Sequence, residues 1–235
     1  MGRSQQDTGG ELDSVWVVIA AYNEVRRIGH AVRSVIDVGA QVVVVDDGST
    51  DGTGDRANAA GAWMLRHPVN LGQGAALQTG IHFALARGAS AIVTFDGDGQ
   101  HHAEDIPRLV AALHEHHADF ALGSRFLGRA DGIPWSRRLV LYGAVLFTRL
   151  TSGLRVSDAH NGLRAMTRHG ASALQIRLNR MEHASEILDQ IAASGLRFVE
   201  VPVRISYSAE SLAKGQRSSA AFRLLARLLL SKVTG

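Results

Sequence analysis

The sequence predicts an α/β protein built on one mostly parallel sheet with helices on its faces. Over the first hundred residues, short apolar runs alternate with segments of helical periodicity, a rhythm typical of βαβ units. Polar or acidic residues directly follow each of the first four apolar runs. The rhythm changes in the last third of the chain. We therefore expect a single α/β domain that carries amphipathic helices towards its C-terminus.

The individual elements follow from periodicity and turn residues. Strands are predicted over residues 15–20, 41–45, 63–66, 91–95 and 120–123, with helices over about 25–38, 53–60, 74–86 and 103–116. Beyond them we predict a loop over 124–135, a helix over 137–150, a loop through Asn161, a helix over 181–194 and a strand over 198–207. Because Pro202 has no amide hydrogen to donate to a neighbour, the last strand is expected at a sheet edge.

Composition excludes several classes of site. The 235 residues include no cysteine, which rules out disulfides, thiolate nucleophiles and iron–sulfur clusters. The two lysines, Lys214 and Lys232, do not follow glycine, so there is no P-loop. A net charge of +3 is too small to predict binding to nucleic acid. The longest apolar run, residues 139–148, is too short to span a bilayer.

We divide the chain into three parts. Residues 1–13 are expected to be a disordered tail, and residues 14–207 form the folded domain. Residues 208–235 are expected to form a mobile loop followed by a basic amphipathic helix over 220–233, of the kind that lies in a membrane interface.

Two carboxylates follow the fourth predicted strand. Asp96 and Asp98 are separated by one glycine, so they can direct oxygens at one point, where their repulsion is costly unless a cation neutralises it. Mg²⁺ and Mn²⁺ prefer such oxygen ligands and share them with substrate phosphates. The alternative is a glycine-rich turn whose aspartates cap the next helix.

The ends of the first three strands predict a nucleotide pocket, because ligands of open parallel sheets bind beyond the carboxyl ends of the strands. The polar groups there are Ala21-Tyr22-Asn23-Glu24, Asp46-Asp47 and the Asn70–Gly74 segment. Glycines that open a helix let backbone amides approach an anion or a base. The two aspartates after the second strand could equally cap the next helix.

The motifs Ala-Tyr-Asn-Glu, Val-Asp-Asp-Gly-Ser-Thr-Asp-Gly-Thr, Asn-x-Gly-x-Gly-Ala and Asp-Gly-Asp-Gly-Gln-His occur in this order. Together with Gly123-Ser124-Arg125 and the stretch from Asp158 to Arg164, they resemble the family 2 glycosyltransferases of the GT-A fold. The similarity is greatest to dolichol-phosphate mannose synthases and bacterial polyprenyl-phosphate glycosyltransferases. The family's processive synthases carry Gln-x-x-Arg-Trp, which is missing here, so transfer of one sugar is expected.

The resemblance implies a role for each matching residue. It implies a nucleotide site at Ala21, Tyr22, Asn23, Glu24, Asp46, Asp47, Asn70, Gly74 and Gly97, and a Mg²⁺ or Mn²⁺ site at Asp96, Asp98 and Gln100. Asp158, Asp98 and Arg125 would be catalytic, and Arg125, Arg137, Arg138 and Lys214 would hold the acceptor phosphate. His160-Asn161 replaces the Thr-Ser that is common in the acceptor-side loop of the family.

The implied reaction is inverting, metal-dependent transfer from a UDP- or GDP-linked sugar to a polyprenyl phosphate. A polyprenyl phosphate is already an oxyanion near neutral pH, whereas a sugar hydroxyl needs a general base, a role that Asp158 could fill. Asp158 could also be only a turn residue. The alternatives are a hydroxyl acceptor on a lipid-linked glycan, a nucleotidyltransferase and a non-catalytic binding module.

The expected partners are the sugar nucleotide, the lipid acceptor and an anionic membrane surface, with an integral-membrane partner or a second copy of the chain also possible. The expected location is cytoplasmic, peripheral on the cytoplasmic face of the membrane.

Overall fold

The computed structural model describes residues 12–131 and 135–207. The strands are β1 (Val15–Ala21), β2 (Gln41–Asp46), β3 (Trp63–Arg66), β4 (Ala91–Asp96), β5 (Phe120–Asp131), β6 (Arg164–Thr167) and β7 (Phe198–Ser206). The helices are α1 (Ile28–Asp37), α2 (Thr53–Ala59), α3 (Gln73–Ala86), α4 (Ile106–Glu115), α5 (Trp135–Ser152), α6 (Arg168–Ala173) and α7 (His183–Ser194), and a 3₁₀ turn (Ala103–Asp105) precedes α4.

The strands form one sheet in the order β3-β2-β1-β4-β6-β5-β7. All neighbouring strands run parallel except at β6, which is antiparallel to both β4 and β5. The prediction of a mostly parallel sheet is therefore confirmed. The strand order reverses between β1 and β4, where Ala20 is paired with Asp96, and Ala21 is paired with Asp46 of β2 on the other side. The carboxyl ends of these three strands thus meet at one edge of the sheet, where ligands of such sheets bind.

The two faces of the sheet carry separate apolar layers because side chains alternate along each strand. Val17 and Ile19 of β1 face α1, α2 and α4. Trp16 and Val18 face α3, α6 and α7, and α5 contributes Val145 to the same layer. Both faces are covered, which explains why the central strands are apolar throughout.

Several predicted boundaries need correction. β5 extends to Asp131 although 124–135 was expected to be a loop, because its second half pairs with β7 beyond an irregularity between Ser124 and Arg129. A Cβ at Gly128 would lie 2.9 Å from the carbonyl carbon of Val203, so glycine permits this close pairing. The short elements β6 and α6 were not predicted. Leu12, which was expected to belong to a disordered tail, is buried in the core.

Other expectations agree with the structure. β3 has the predicted bounds, and β7 with Pro202 lies at one edge of the sheet. Within the described residues, no helix combines the length and the apolar character needed to cross a bilayer. The predicted C-terminal helix over 220–233 lies outside the described residues.

Candidate active site

Hydrogen bonds join the loop after β1 to the loop after β2. The amide of Asn23 donates to Ser49 Oγ (2.9 Å), and the amide of Thr50 donates to Asn23 Oδ1 (3.1 Å). The amide of Glu24 donates to Thr53 Oγ1 (2.8 Å). Asn23 has a φ of +54°, a left-handed conformation that asparagine tolerates better than most residues. The Tyr-Asn-Glu motif is therefore held by the motif that follows β2, and both line the same edge of the sheet.

Asp47 is buried and organises the loop that follows β3. Its Oδ1 accepts hydrogen bonds from the amide of Leu71 (2.9 Å) and contacts His67 Nδ1 (2.8 Å), and its Oδ2 accepts from the amide of Gly72 (2.7 Å). Most of the acceptor capacity of this carboxylate is thus used inside the protein. A direct contact of Asp47 with a nucleoside remains a prediction.

Asp46 is equally buried at the end of β2. Its Oδ1 accepts from the amide of Ser49 (2.9 Å), and its Oδ2 lies 3.6 Å from Arg66 Nε. These contacts fit the turn-forming alternative that the sequence left open for this residue.

Gly72 and Gly74 make room for a later segment of the chain. The amide of Gly74 donates to the carbonyl of Asn179 (2.8 Å), and a Cβ at Gly74 would overlap the carbonyl oxygen of Leu178. Sequence reasoning assigned the Gly74 amide to an approaching ligand, whereas the structure uses it to bind residues 178–179. Asn70 is exposed on the same loop, and Tyr22 is 49% exposed, so both side chains are accessible to a ligand.

Asp96 lies at the end of β4 and is held on both oxygens. Gln73 Nε2 donates to its Oδ1 (3.0 Å), and His101 Nε2 lies 2.8 Å from its Oδ2. Burial by itself would raise the pKa of Asp96, but the hydrogen bond and charge of His101, with the charges of His183 and Arg164, lower it overall. The carboxylate is therefore kept ionised by its surroundings.

Asp98 has the opposite electrostatic environment. Burial and the negative charge of Asp96 raise its pKa. Its Oδ1 accepts from the amide of Gln100 (3.0 Å), and the side-chain amide of Gln100 donates to its Oδ2. The carbonyl of Gln100 accepts from the amide of Ser206 (3.0 Å), which ties this loop to the end of β7.

These residues fit a divalent cation that shares its ligands with a substrate. No three acidic or histidine side chains in residues 12–131 and 135–207 are arranged to hold a metal by themselves. Asp96 and Asp98 nevertheless lie two residues apart at the end of β4, and burial together with the negative charge of Asp96 raises the pKa of Asp98. Mg²⁺ is commonly bound by one or two carboxylates and completed by substrate phosphates, a pattern that this pair can serve.

Asp158 and Arg125 form a buried ion pair on the other side of the site. Asp158 Oδ2 accepts from Arg125 Nε (2.6 Å) and from the amide of Arg125 (3.1 Å), while its Oδ1 accepts from the amide of His160 (3.2 Å). The guanidinium also donates to the Tyr207 hydroxyl and to the carbonyl of His160 (3.0 Å). Burial alone would lower the pKa of Arg125, but the charges of Asp158 and Tyr207 raise it.

Arg125 was expected to be catalytic and to hold the acceptor phosphate. It is only 7% exposed and its donors bind groups of the protein, so contact with the acceptor remains a prediction. Of the other residues expected there, Arg138 is exposed on α5 with its guanidinium 5.8 Å from the ring of Tyr142. The side chain of Arg137 and the whole of Lys214 lie outside the described part of the chain.

Glu200 anchors the loop that carries Asp158. Its Oε1 accepts from the amide (2.7 Å) and the hydroxyl (2.8 Å) of Ser157. Ser157 Oγ is also 2.6 Å from Ser124 Oγ, next to Arg125. The motifs around Ser124, Asp158 and Glu200, which are distant in sequence, therefore form one hydrogen-bonded unit.

The loop of Asp158 and the carboxylate pair meet at Gly162. Thr94 Oγ1 donates to the carbonyl of Gly162 (2.6 Å), and a Cβ at Gly162 would lie 2.8 Å from the carboxyl carbon of Asp96. Arg164 is buried behind this contact and donates to the carbonyl of Asn161 (3.0 Å). Burial lowers the pKa of Arg164 to about 10, although Asp158 and Asp96 oppose the shift.

Three buried polar atoms around this junction have no hydrogen-bond partner among the described residues: His101 Nδ1, His160 Nδ1 and Asn161 Nδ2. Burial, together with the charge of Arg164, lowers the pKa of His160 to about 4, so its imidazole is neutral near pH 7. Unpaired polar atoms at a buried site are costly unless water or a ligand binds them.

Sequence reasoning missed several residues of this site. Gln73, His101, Gly162 and Arg164 lie inside the motifs that were recognised, but only the structure shows that they surround Asp96. His183, whose charge also acts on Asp96, lies at the start of α7, a segment that the family resemblance puts near the acceptor pocket. Gly97 is buried, and a Cβ there would lie 3.2 Å from Ile19 Cγ2, so it packs on the core beneath the predicted nucleotide site.

Comparison with known proteins identifies the family. The profile described as Glycosyl transferase family 2 matches residues 16–173. The UDP-N-acetylglucosamine–dolichyl-phosphate N-acetylglucosaminyltransferase of Methanococcus voltae is 29% identical, over 93% of this chain and 96% of that protein. The undecaprenyl-phosphate mannosyltransferase of Micrococcus luteus is 31% identical, over 80% of this chain and 82% of that protein.

Among solved structures, the glucosyl-3-phosphoglycerate synthase of Mycobacterium tuberculosis, in complex with Mg²⁺ and UDP, is similar in fold. The TM-score is 0.68 at 24% identity, with 94% of this chain and 83% of that chain covered. The predicted GT-A-like fold and the predicted enzyme class are thereby confirmed. From its motifs, its sheet and these comparisons, the chain belongs to glycosyl transferase family 2.

Proposed function

We propose that this glycosyltransferase moves one sugar from a nucleoside-diphosphate sugar to a polyprenyl monophosphate, with inversion at the sugar carbon. The observation that carries the proposal is the contact of Gly162 with Asp96, since it brings the loop of Asp158 against the carboxylate pair. A donor diphosphate and an acceptor that approaches along this loop would meet there. The names of the relatives from Methanococcus and Micrococcus support a lipid phosphate as the acceptor.

On the donor side, the exposed ring of Tyr22 and the exposed Asn70 are available to a nucleoside at the ends of β1 and β3. Asp96, Asp98 and Gln100 would hold Mg²⁺ or Mn²⁺. When bound, that cation would neutralise the charge that develops on the leaving diphosphate. The solved structure with Mg²⁺ and UDP supports this assignment through the shared fold.

The reaction requires one bond to form and one to break at the sugar. An oxygen of the acceptor phosphate bonds to the anomeric carbon while the bond from that carbon to the diphosphate oxygen breaks. The electron pair of the broken bond leaves with the nucleoside diphosphate. Because attack comes from the face opposite the leaving group, the configuration inverts. A phosphate acceptor is already an oxyanion near neutral pH, so no side chain has to remove a proton from it.

This chemistry gives Asp158 a positioning role. Its oxygens accept hydrogen bonds from Arg125 and from the amide of His160, and Asp158 and Arg125 are both buried. A carboxylate committed to a guanidinium is a poor choice for taking up a proton, because protonation would leave the buried guanidinium unpaired. The pair therefore favours a phosphate acceptor over the alternative hydroxyl acceptor. Such an enzyme would act peripherally at the cytoplasmic face of the membrane that contains the lipid.

The test is a direct assay of products. The full chain is incubated with Mn²⁺, a short-chain polyprenyl phosphate in detergent micelles and, in separate reactions, UDP-N-acetylglucosamine, UDP-glucose and GDP-mannose. We expect one of these donors to give a lipid carrying one sugar and one equivalent of nucleoside diphosphate, with no activity in excess chelator. Pyrophosphate formed from a nucleoside triphosphate and a sugar phosphate would instead identify a nucleotidyltransferase. Transfer undiminished by the chelator would contradict the metal assignment.

A further inference from the structure

Helix α5 presents a row of large apolar side chains to solvent. Trp135 is 77% exposed, Leu139 60%, Tyr142 46%, Leu146 59% and Leu150 77%. Their spacing of three and four residues puts them on one stripe about 80° wide, at 3.6 residues per turn. Isolated exposed leucines are ordinary, but a contiguous apolar stripe along a whole helix marks an interaction surface. We call these five residues the α5 stripe.

The opposite side of α5 is packed against the protein. Ala144, Val145 and Thr148 are buried there. The end of the helix is anchored by Ser152 Oγ, which donates to Asp189 Oδ1 of α7 (2.5 Å). Tyr142 belongs to the stripe, and its ring stacks on Phe126 of β5 with the ring centroids 4.7 Å apart while the residue stays 46% exposed. These contacts hold α5 in an orientation that leaves the stripe facing outwards.

Within the sequence segment that contains α5, the charged residues are all of one sign. Between Asp131 and Asp158 the sequence contains no acidic residue and four arginines. On a helical projection, Arg138 and Arg149 lie along one border of the stripe, and both are exposed. An apolar stripe bordered by basic residues, with an aromatic residue at one end, is the pattern of a helix that lies in a membrane interface.

We propose that the α5 stripe inserts into the interfacial layer of an anionic bilayer and so docks the enzyme on the membrane. Charge complementarity selects this occupant over the two others that could cover the stripe. A second copy would bring the same arginines against one another. Residues 208–235 have five basic residues and one acidic residue, so they too would be repelled by the arginines of α5. Of these three occupants, the bilayer alone supplies both an apolar interior and opposite charge.

Helix α5 connects the two segments that carry Arg125 and Asp158, so the stripe is linked to the acceptor side of the site. This part of the inference rests on the proposed lipid acceptor. Helix α5 begins ten residues after Arg125 and ends six residues before Asp158. The loop between α5 and Asp158 is held by Arg149 Nε, which donates to the carbonyl of Val156 (3.0 Å). Docking through α5 would therefore orient the acceptor side of the site towards the lipid.

The first test measures sedimentation of the full chain with vesicles of phosphatidylcholine and phosphatidylglycerol, without donor or acceptor. We expect binding that weakens with added salt, because the arginines contribute electrostatically. Leu146→Glu should weaken binding about tenfold or more, since it removes apolar area and adds repulsion. The matched control is Ile36→Glu, an exposed apolar residue on α1 that should bind like wild type. Equal binding by both variants would overturn the proposal.

The second test uses Trp135 as a probe of insertion. Acyl chains brominated near the headgroup should quench its fluorescence, and Trp135→Phe should remove most of the quenching. The other two tryptophans, Trp16 and Trp63, lie on β1 and β3, which at least two strands separate from β5 in the sheet. Quenching that persists unchanged in Trp135→Phe would show that another surface inserts.

Further measurements separate the alternative occupants and the proposed function. A change of oligomeric state in Leu146→Glu with unaltered vesicle binding would assign the stripe to a second copy and overturn the proposal. Binding that is lost in Arg223→Glu/Arg227→Glu but kept in Leu146→Glu would assign docking to the C-terminal segment and would also overturn the proposal.

If the protein binds vesicles as expected but transfers no sugar to any polyprenyl phosphate, the proposed function fails while the docking surface stands. If the proposed function and the docking surface are both correct, Leu146→Glu loses activity on an acceptor embedded in vesicles but keeps it on a short-chain acceptor in micelles.

Discussion

The two halves of the sheet build their parts of the site in different ways. In the half formed by β1 to β4, strands alternate with helices, and the site residues come from the turns at the strand ends. In the half formed by β5 to β7, the decisive contacts join residues far apart in sequence, such as Arg125 with Asp158, 33 positions away, and with Tyr207, 82 positions away. The first half can be predicted from local pattern, whereas the second depends on long-range packing.

The two halves also differ in the partners of their buried carboxylates. No guanidinium is bonded to Asp96 or Asp98 among the described residues, and burial together with the negative charge of Asp96 raises the pKa of Asp98. Asp158 is instead neutralised by Arg125 at 2.6 Å. A carboxylate pair without a bonded guanidinium suits a site that receives a cation with its substrate, whereas a carboxylate paired with a guanidinium suits a framework. Substitutions in the two halves should therefore affect different quantities.

The largest effect is expected at Asp98, in the first half. Asp98→Asn should reduce transfer by about 1,000-fold or more and weaken Mn²⁺-dependent nucleotide binding, because it removes one of two predicted metal carboxylates. The thermal unfolding midpoint should not fall, since the substitution relieves repulsion with Asp96. Glu104→Gln, an exposed carboxylate nearby, is the matched control and should keep full activity. Full activity in Asp98→Asn would remove the metal assignment.

Gly162→Ala tests the contact between the halves. The added Cβ would clash with the Asp96 carboxylate, and overpacking of this kind lowers the free energy of unfolding by about 1–3 kcal/mol. Because the clash also displaces that carboxylate, we expect kcat to fall by about 10- to 100-fold. The control is Gly143→Ala on α5, where a Cβ meets nothing within 4 Å. Steady-state kinetics and thermal unfolding of both variants measure the effect. If the two alanine variants are equally active, the halves are not coupled through this contact.

Asp158→Asn tests the framework role in the second half. It should impair transfer to polyprenyl phosphate by about tenfold and destabilise the fold, because the buried guanidinium of Arg125 loses its counter-charge. A double-mutant cycle with Arg125→Gln should give a coupling energy of about 1–3 kcal/mol in unfolding experiments. Complete loss of transfer with unchanged acceptor binding and unchanged stability would favour Asp158 as a general base acting on a hydroxyl.

The smallest effect concerns the pH dependence of stability. His160 has a folded pKa of about 4 instead of 6.5, so between these values the unfolded chain binds more protons than the folded one. The stability that depends on a neutral His160 is fully present above about pH 6.5 and is lost as the pH falls towards 4. The free energy of unfolding therefore falls by about 2 kcal/mol between pH 7 and pH 5. Urea unfolding of His160→Gln should show a flatter profile over this window. The exposed His114→Gln should follow wild type, and an unchanged profile in His160→Gln would contradict the assignment.

The sequence by itself determined the sheet of the first half and the position of its ligand edge. Apolar runs with polar ends predicted β1 to β4, and the paired aspartates were found because strand ends gather at one edge when crossovers are short. It also determined the family, since the motifs are read in order along the chain. These signals depend on residues close in sequence, which is why pattern reasoning detects them.

Only the tertiary structure decided what several of those residues do. Gly74 binds residues 178–179, Asp47 holds the loop after β3, and Arg125, which was expected to hold the acceptor phosphate, is buried against Asp158. The extension of β5 and the antiparallel β6 likewise depend on partners 40 or more residues away. Hydrogen bonds and ion pairs at such separations leave no periodic trace in the sequence, so burial and pairing had to be seen in the folded chain.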